Sequence, residues 1–264
     1  MNILYIGDIM GDMGIVTVSE IVPKLCLERA IDLVIAQGEN VTEGKGISPE
    51  DFKRLQKVGI DFITGGNWSP TRSDIEPLLS DPKVPIIRPA NYPVDTPGLG
   101  YKYAHTAQGN VLVISLLGHI VGRDADKPVD NPLVVVDQIL GSQADVERIA
   151  CVVNFHGDYS SEKVVIGHYL DGRVTMVIGD HWHVPTADMR ILPGGTAHIT
   201  DVGMCGALNS SLGVSYESVI TRWHDGVQTR NELETKGPRQ FNAVLVSTNT
   251  NGLATQADHI QKYL

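Results

Sequence analysis

Short apolar runs that stop abruptly at glycine, asparagine, aspartate or histidine recur along this chain. Ile3-Leu4-Tyr5-Ile6 runs into Gly7-Asp8, Leu33-Val34-Ile35-Ala36 into Gly38-Glu39-Asn40, and Phe62-Ile63-Thr64 into Gly65-Gly66-Asn67. Further runs are Pro85-Ile86-Ile87, Val111 to Leu117, Ala150 to Phe155, Met176-Val177-Ile178 and Ala243 to Val246. Their apolar positions are continuous rather than alternating, which predicts strands covered on both faces. Between them, Ser48-Pro49-Glu50-Asp51 is a helix start: a hydroxyl cap, a proline in the first turn, and acidic residues favoured by the helix dipole. Ser19 to Ala30, Pro132 to Leu140 and Ser161 to Leu170 carry apolar residues at helical spacing. Tyr101 to Leu117, interrupted by Gln108-Gly109-Asn110, predicts a hairpin. Alternation of strand and helix predicts the α/β class, with layered mixed sheets flanked by helices. No repeat, low-complexity tract or linker divides the chain, so residues 1–264 are expected to form a single domain.

Composition narrows the function classes. The 264 residues are 42% apolar and 20% charged, as in a globular protein. With 21 basic and 31 acidic residues the formal net charge is −10, which argues against nonspecific binding to duplex DNA or an anionic membrane. A small anionic ligand held by a metal is compatible with that charge. No apolar stretch approaches the roughly 20 residues of a membrane span, and MNILYIGD lacks the basic leader of a signal peptide. Cys26, Cys151 and Cys205 are odd in number and far apart, which predicts buried thiols rather than disulfides or a thiolate zinc site. A cytoplasmic protein with no membrane partner is expected.

The chemistry lies in what ends the strands. Asp8, Glu39, Asn40, Asn67 and His156 each follow an apolar run, and His181 and His183 lie in GDHWH after another. Singly, each has an ordinary explanation: Asp8 as a turn cap, the asparagines as left-handed turn residues, His156 as a core histidine. Glu39 is harder to explain that way, since a carboxylate there needs a cation or donors. In extended backbone, His181 and His183 would point to one side with Trp182 facing away. Ligands gather at the carboxyl ends of strands in open α/β sheets, where distant residues converge. Two carboxylates, two amides and three imidazoles without thiolate suit Mn, Fe or Zn. They are too many for one four-coordinate ion and suit two ions sharing a carboxylate. Such a pair bridges a hydroxide nucleophile and clamps phosphoryl oxygens, so metal-assisted phosphoester hydrolysis is the expected reaction. Gly7, Gly11 and Gly14 have neither Rossmann nor P-loop spacing and read as turn or packing glycines. No G-x-S-x-G elbow of a serine hydrolase occurs.

Several longer motifs accompany these residues: ILYIGDIMG (3–11), GENVTEGKGIS (38–48), ITGGN (63–67), RPANYP (88–93), TPGLG (96–100), FHGDYSSEK (155–163), GDHWHVPTAD (179–188) and ILPGGTAHITDVGM (191–204). With them the chain resembles, over nearly its whole length, the YmdB-like bacterial metallophosphoesterases, a calcineurin-like family of cyclic-nucleotide phosphodiesterases. The resemblance implies a calcineurin-like metallophosphoesterase fold and a dinuclear centre of iron or manganese. It implies Asp8, Glu39, Asn40 and His183 as ligands of one metal. For the other it implies Glu39, Asn67, His156 and His181, with Glu39 bridging. The implied substrates are small phosphodiesters or nucleotides such as 2′,3′-cyclic nucleotides; the acidic charge argues against nucleic-acid binding as the primary function but is compatible with a short RNA end as substrate. Homo-oligomers also occur in the family.

One position departs from the family pattern. Relatives follow the metal-binding Asn with a His assigned as proton donor; here Trp68 occupies that catalytic position, in Gly66-Asn67-Trp68-Ser69-Pro70. An indole has a donor N–H but cannot protonate an alkoxide, and losing a general acid typically costs a factor of about 10²–10⁴. Weakened activity on poor leaving groups is therefore expected, the alternative being a catalytically impaired regulatory module that binds metal and phosphate. An indole beside the metals is suited to stacking on a nucleobase or to plugging the site. His119 and Asp180 are the candidate substitutes for the acid, each with the alternative reading of a surface residue or a support behind the ligands, whereas Asp158 and Glu162 read as loop and helix-start residues. Carboxylates that orient the ligating imidazoles are also expected.

Overall fold

A computed structural model describes residues 1–122 and 125–264. In chain order its strands are β1 Asn2–Ile6, β2 Asp8–Ile9, β3 Leu33–Gln37, β4 Phe62–Thr64, β5 Tyr101–Thr106, β6 Gly109–Leu117 and β7 Ala150–His156. They continue with β8 Met176–Asp180, β9 Arg190–Ile191, β10 Ala197–Ile199, β11 Met204–Ala207, β12 Arg239–Thr248 and β13 Ala254–Tyr263. The helices are α1 Gly11–Arg29, α2 Pro49–Val58, α3 Glu76–Ser80, α4 Pro132–Ser142, α5 Ser160–Tyr169 and α6 Tyr216–Asp225.

The strands form two mixed sheets. One has the order β2-β11-β12-β1-β3-β4, with β13 also paired to β12; the other runs β5-β6-β7-β8-β10-β9. Continuous apolar runs are explained by burial on both sides, as β1 illustrates. Ile3 and Tyr5 join the core between the sheets, with Val113, Val152 and Ile178 of the second sheet. Leu4 and Ile6 face Ile15, Val18 and Leu55 of the helices outside. On the far side, Leu112, Ile114 and Phe155 pack against Val136 and Ile166 of α4 and α5. The layers therefore read helix, sheet, sheet, helix.

Local signals explain most of the elements. Ser48 caps α2, its hydroxyl accepting from the Asp51 N–H, with Pro49 at the first helical position. β5 and β6 form the expected antiparallel hairpin. Two expectations are corrected. Pro85-Ile86-Ile87 makes only a single bridge, Ile86 to Ile63, because Pro85 and Pro89 lack the N–H groups needed to extend a ladder. The first helix begins at Gly11 rather than Ser19. Its Gly14 is a packing glycine, since a Cβ there would lie 2.7 Å from the Cys205 carbonyl oxygen. Among the described residues no helix is long and apolar enough to cross a membrane.

Candidate metal centre

Strand direction brings the polar strand ends together. β1, β3 and β4 run parallel in one sheet, and β6, β7 and β8 in the other. Their carboxyl ends meet: the Tyr5 hydroxyl donates to Asp180 Oδ2 at 3.0 Å and the Ser115 hydroxyl to the Gly65 carbonyl at 2.8 Å. At this edge the seven expected residues form two adjoining groups. In the first, His156 Nε2 lies 2.9 Å from Glu39 Oε1 and 2.9 Å from Asn67 Oδ1. The His181 ring meets the His156 ring edge-on, with centroids 4.4 Å apart. One donor atom each of Glu39, His156 and His181 lie within 4.8 Å of one another. In the second group, His183 Nε2 lies 3.3 Å from Asn40 Oδ1 and 3.7 Å from Asp8 Oδ1. Asp8 Oδ2 accepts from the His181 backbone N–H at 3.2 Å, whereas Asp8 Oδ1 is buried without a hydrogen-bond partner.

The backbone around these groups differs from the extended form expected for His181-Trp182-His183. His181 and His183 have φ of 98° and 62°, so the segment is coiled through left-handed conformations. Each imidazole consequently joins a different group, while the Trp182 ring turns to Lys163, whose Nζ lies 4.0 Å from the ring centroid. Gly66 passes so close that a Cβ there would lie 2.3 Å from Glu39 Oε2 and 2.5 Å from His156 Nε2. Trp68 contributes its main chain: its N–H donates to Glu39 Oε2 at 2.9 Å. Its ring lies under the Lys45 ammonium, 4.9 Å from the centroid.

The electrostatics favour positive charge. Burial, and next the neighbouring Asp180, push the Asp8 carboxyl well above its ordinary range. For His156, burial disfavours the imidazolium, but Glu39 and Asp180 outweigh it and raise the pKa well above the usual value. His183 is lowered to about 4, by burial first and His181 second, and so stays neutral as a donor. Buried carboxylate oxygen beside neutral imidazole and amide oxygen is a donor set that fits Mn, Fe or Zn.

Behind the site lies the support that the sequence left unassigned. Asp180 is fully buried and accepts from His156 Nδ1 at 2.7 Å, Gln37 Nε2 at 3.1 Å and the Asn154 amide. It therefore orients His156, and its place behind that ring favours the supporting reading of Asp180 over that of a substitute acid. Lys163, also fully buried, donates to the Asp180 carbonyl at 2.6 Å and to Asp201 Oδ2 at 2.8 Å. Asp158 Oδ2 lies 3.4 Å from His181 Nε2. The Asp180 contact had one available sequence signal, a carboxylate at the end of an apolar run; Lys163 and Asp201 stand in the motifs 155–163 and 191–204, but nothing in the sequence pointed to their pairing.

Comparison with known proteins agrees with this architecture. Residues 4–260 match the family described as YmdB-like protein. A 2′,3′-cyclic-nucleotide 2′-phosphodiesterase of Bacillus subtilis (strain 168) is 39% identical over 232 residues, covering 87% of this chain and 85% of that protein. A crystal structure described as a novel phosphatase from Mycoplasma pneumoniae has a TM-score of 0.91 at 28% identity, covering 100% of this chain and 93% of that one. A hypothetical protein from Thermus thermophilus gives 0.90 at 32% identity, covering 100% and 99%. The layered α/β architecture is common to this chain and those structures. On the family match and on its identity to the Bacillus relative, the chain belongs to the YmdB-like family.

Proposed function

We propose that this chain, a phosphoric ester hydrolase, cleaves small phosphodiesters such as 2′,3′-cyclic nucleotides at a two-metal centre. Its ligands would be Asp8, Asn40 and His183 on one side, Asn67, His156 and His181 on the other, with Glu39 shared. The observation that carries this reading is the convergence of seven candidate ligands, one of which, Asp8, keeps a buried carboxylate oxygen, Oδ1, without a hydrogen-bond partner. The substrate class rests on the Bacillus relative, whose name states that activity. The donor set suits iron, manganese or zinc, and the family resemblance favours the first two. Both sheets contribute ligands, which supports treating residues 1–264 as one metallophosphoesterase domain.

When bound, two such ions activate a water nucleophile and neutralise phosphoryl charge in an in-line displacement. The chain does the rest. Asp180 fixes His156 with Nε2 toward the cage. Gly66 leaves room for Glu39 and His156, and the Trp68 N–H holds one Glu39 oxygen. The last contact uses backbone alone, so Trp68 keeps this part of the site while supplying no acid. A short RNA end fits the same chemistry, since the reacting group is again a phosphodiester.

The test is turnover of bis-p-nitrophenyl phosphate and 2′,3′-cyclic AMP by manganese-loaded protein. Both should be hydrolysed, and Glu39→Gln should reduce both to background. Absence of turnover of either substrate, with metal analysis showing two bound ions, would refute the reading.

A further inference from the structure

Trp68, next to the proposed ligand Asn67, carries an indole that cannot protonate an alkoxide, so the leaving group needs an acid from elsewhere. A further imidazole, outside the seven candidate ligands, is held at the same edge. His119 follows β6, and its loop is fastened to the loop after His156. The Gly118 N–H donates to the His156 carbonyl at 2.8 Å and the Asp158 N–H to the His119 carbonyl at 2.9 Å. The Val121 N–H donates to Asp158 Oδ2 at 2.7 Å. Glu162, in the first turn of α5, grips the residue twice. Its Oε2 accepts the His119 backbone N–H at 2.9 Å and its Oε1 pairs with His119 Nδ1. Tyr159 stacks on the imidazole, with centroids 5.4 Å apart and planes 15° from parallel.

The side chain is thus anchored on one edge and one face, yet is 72% exposed. With Nδ1 engaged by the carboxylate, the ring presents Nε2 as its free nitrogen among the described residues. A carboxylate on Nδ1 fixes the ring's orientation, as it does in a catalytic His–carboxylate pair. His119 also lines a pocket of about 250 Å³ together with Tyr92, Lys127 and Asn67, the last a proposed metal ligand. The pocket is thus shared by this imidazole and one proposed ligand, Asn67.

Resting on the phosphodiesterase reading, we propose that His119, oriented by Glu162, delivers the proton to the leaving oxygen. The oxygen of one water molecule bonds to phosphorus and the bond from phosphorus to the leaving oxygen breaks. Acting as the imidazolium, with Nδ1–H on Glu162, His119 passes its Nε2 proton to that oxygen, and the resulting neutral imidazole takes up the proton that the attacking water gives up. No oxidant or further reactant is needed. Glu162 is the positioning residue.

The experiment compares 2′,3′-cyclic AMP, whose alkoxide leaving group needs a proton, with bis-p-nitrophenyl phosphate, whose aryl oxide hardly does. In His119→Gly the ratio of cyclic-nucleotide to aryl-ester turnover should fall about 10²-fold, and added imidazole should recover part of the loss. Glu162→Gln should lower the same ratio about tenfold. A readout independent of turnover is the His119 imidazole ¹H–¹³C signal of zinc-loaded protein, assigned by its loss in His119→Gln. It should shift on addition of inorganic phosphate. An unchanged ratio in His119→Gly, an equal fall on both substrates, or a signal unmoved by phosphate overturns the assignment. If wild type turns over the aryl ester and His119→Gly leaves the ratio intact, this inference alone fails. If metal-loaded wild type turns over neither substrate, the phosphodiesterase reading fails and takes this inference with it.

Discussion

At residue scale the site depends on what is absent at Gly66 as much as on its ligands. A methyl group there would occupy the space of Glu39 Oε2 and His156 Nε2. Gly66→Ala should therefore weaken manganese affinity by roughly 10–100-fold, the loss typical when a ligand's support is disturbed, while the far-UV circular dichroism stays that of wild type. Calorimetric titration checks it; unaltered affinity would show that Glu39 and His156 can yield without consequence. Asp180→Asn should produce a loss of similar size, because it removes the carboxylate that holds His156 Nδ1. The seven candidate ligands were legible in the sequence because a polar residue at the end of an apolar strand is conspicuous. Their partition between two groups was implied by the family resemblance alone, because it follows from the left-handed backbone at His181 and His183, which no local pattern announced.

At the scale of elements, two buried lysines hold chain segments that hydrophobic patterning does not explain. Lys102 on β5 donates to the carbonyls of Leu79, Asp81 and Val84 at 3.1, 2.7 and 2.9 Å, closing the C-terminal end of α3. Lys102→Met should destabilise the fold by about 3 kcal/mol, because buried carbonyls lose charge-assisted partners; urea unfolding measures it. Lys163 joins α5 to Asp201 and the Asp180 carbonyl. Its replacement by Met leaves Asp201 as a buried, uncompensated carboxylate, at a cost of about 3–5 kcal/mol in the same assay. Elements with a local signal were readable: α2 through its cap, the β5–β6 hairpin through its turn residues, the central strands through their apolar runs. β13 was not, because its residues are largely exposed or half-buried and it is defined by pairing along β12. The start of α1 was hidden by glycines that serve packing and mimic a loop.

For the whole molecule, the arrangement of two sheets around one edge means that cation binding and folding are linked. Ligands come from the ends of β1, β3 and β4 in one sheet and of β7 and β8 in the other, so an ion bound among them stabilises the native state. Manganese at about 100 times its dissociation constant should add about 2.7 kcal/mol per site. That raises the melting midpoint by roughly 5–10 °C for a chain of this size, and a chelator should reverse it. The net charge of −10 fits this picture, because an acidic surface excludes polyanions and leaves the attraction for a small phosphate to the centre itself. The most direct measurement is anomalous diffraction from crystals soaked in manganese. The account predicts two peaks ~3.5–4 Å apart, one beside Asp8, Asn40 and His183 and the other beside Asn67, His156 and His181, with Glu39 touching both. A map with no peak among these seven side chains, or with a single peak elsewhere on the molecule, would contradict it.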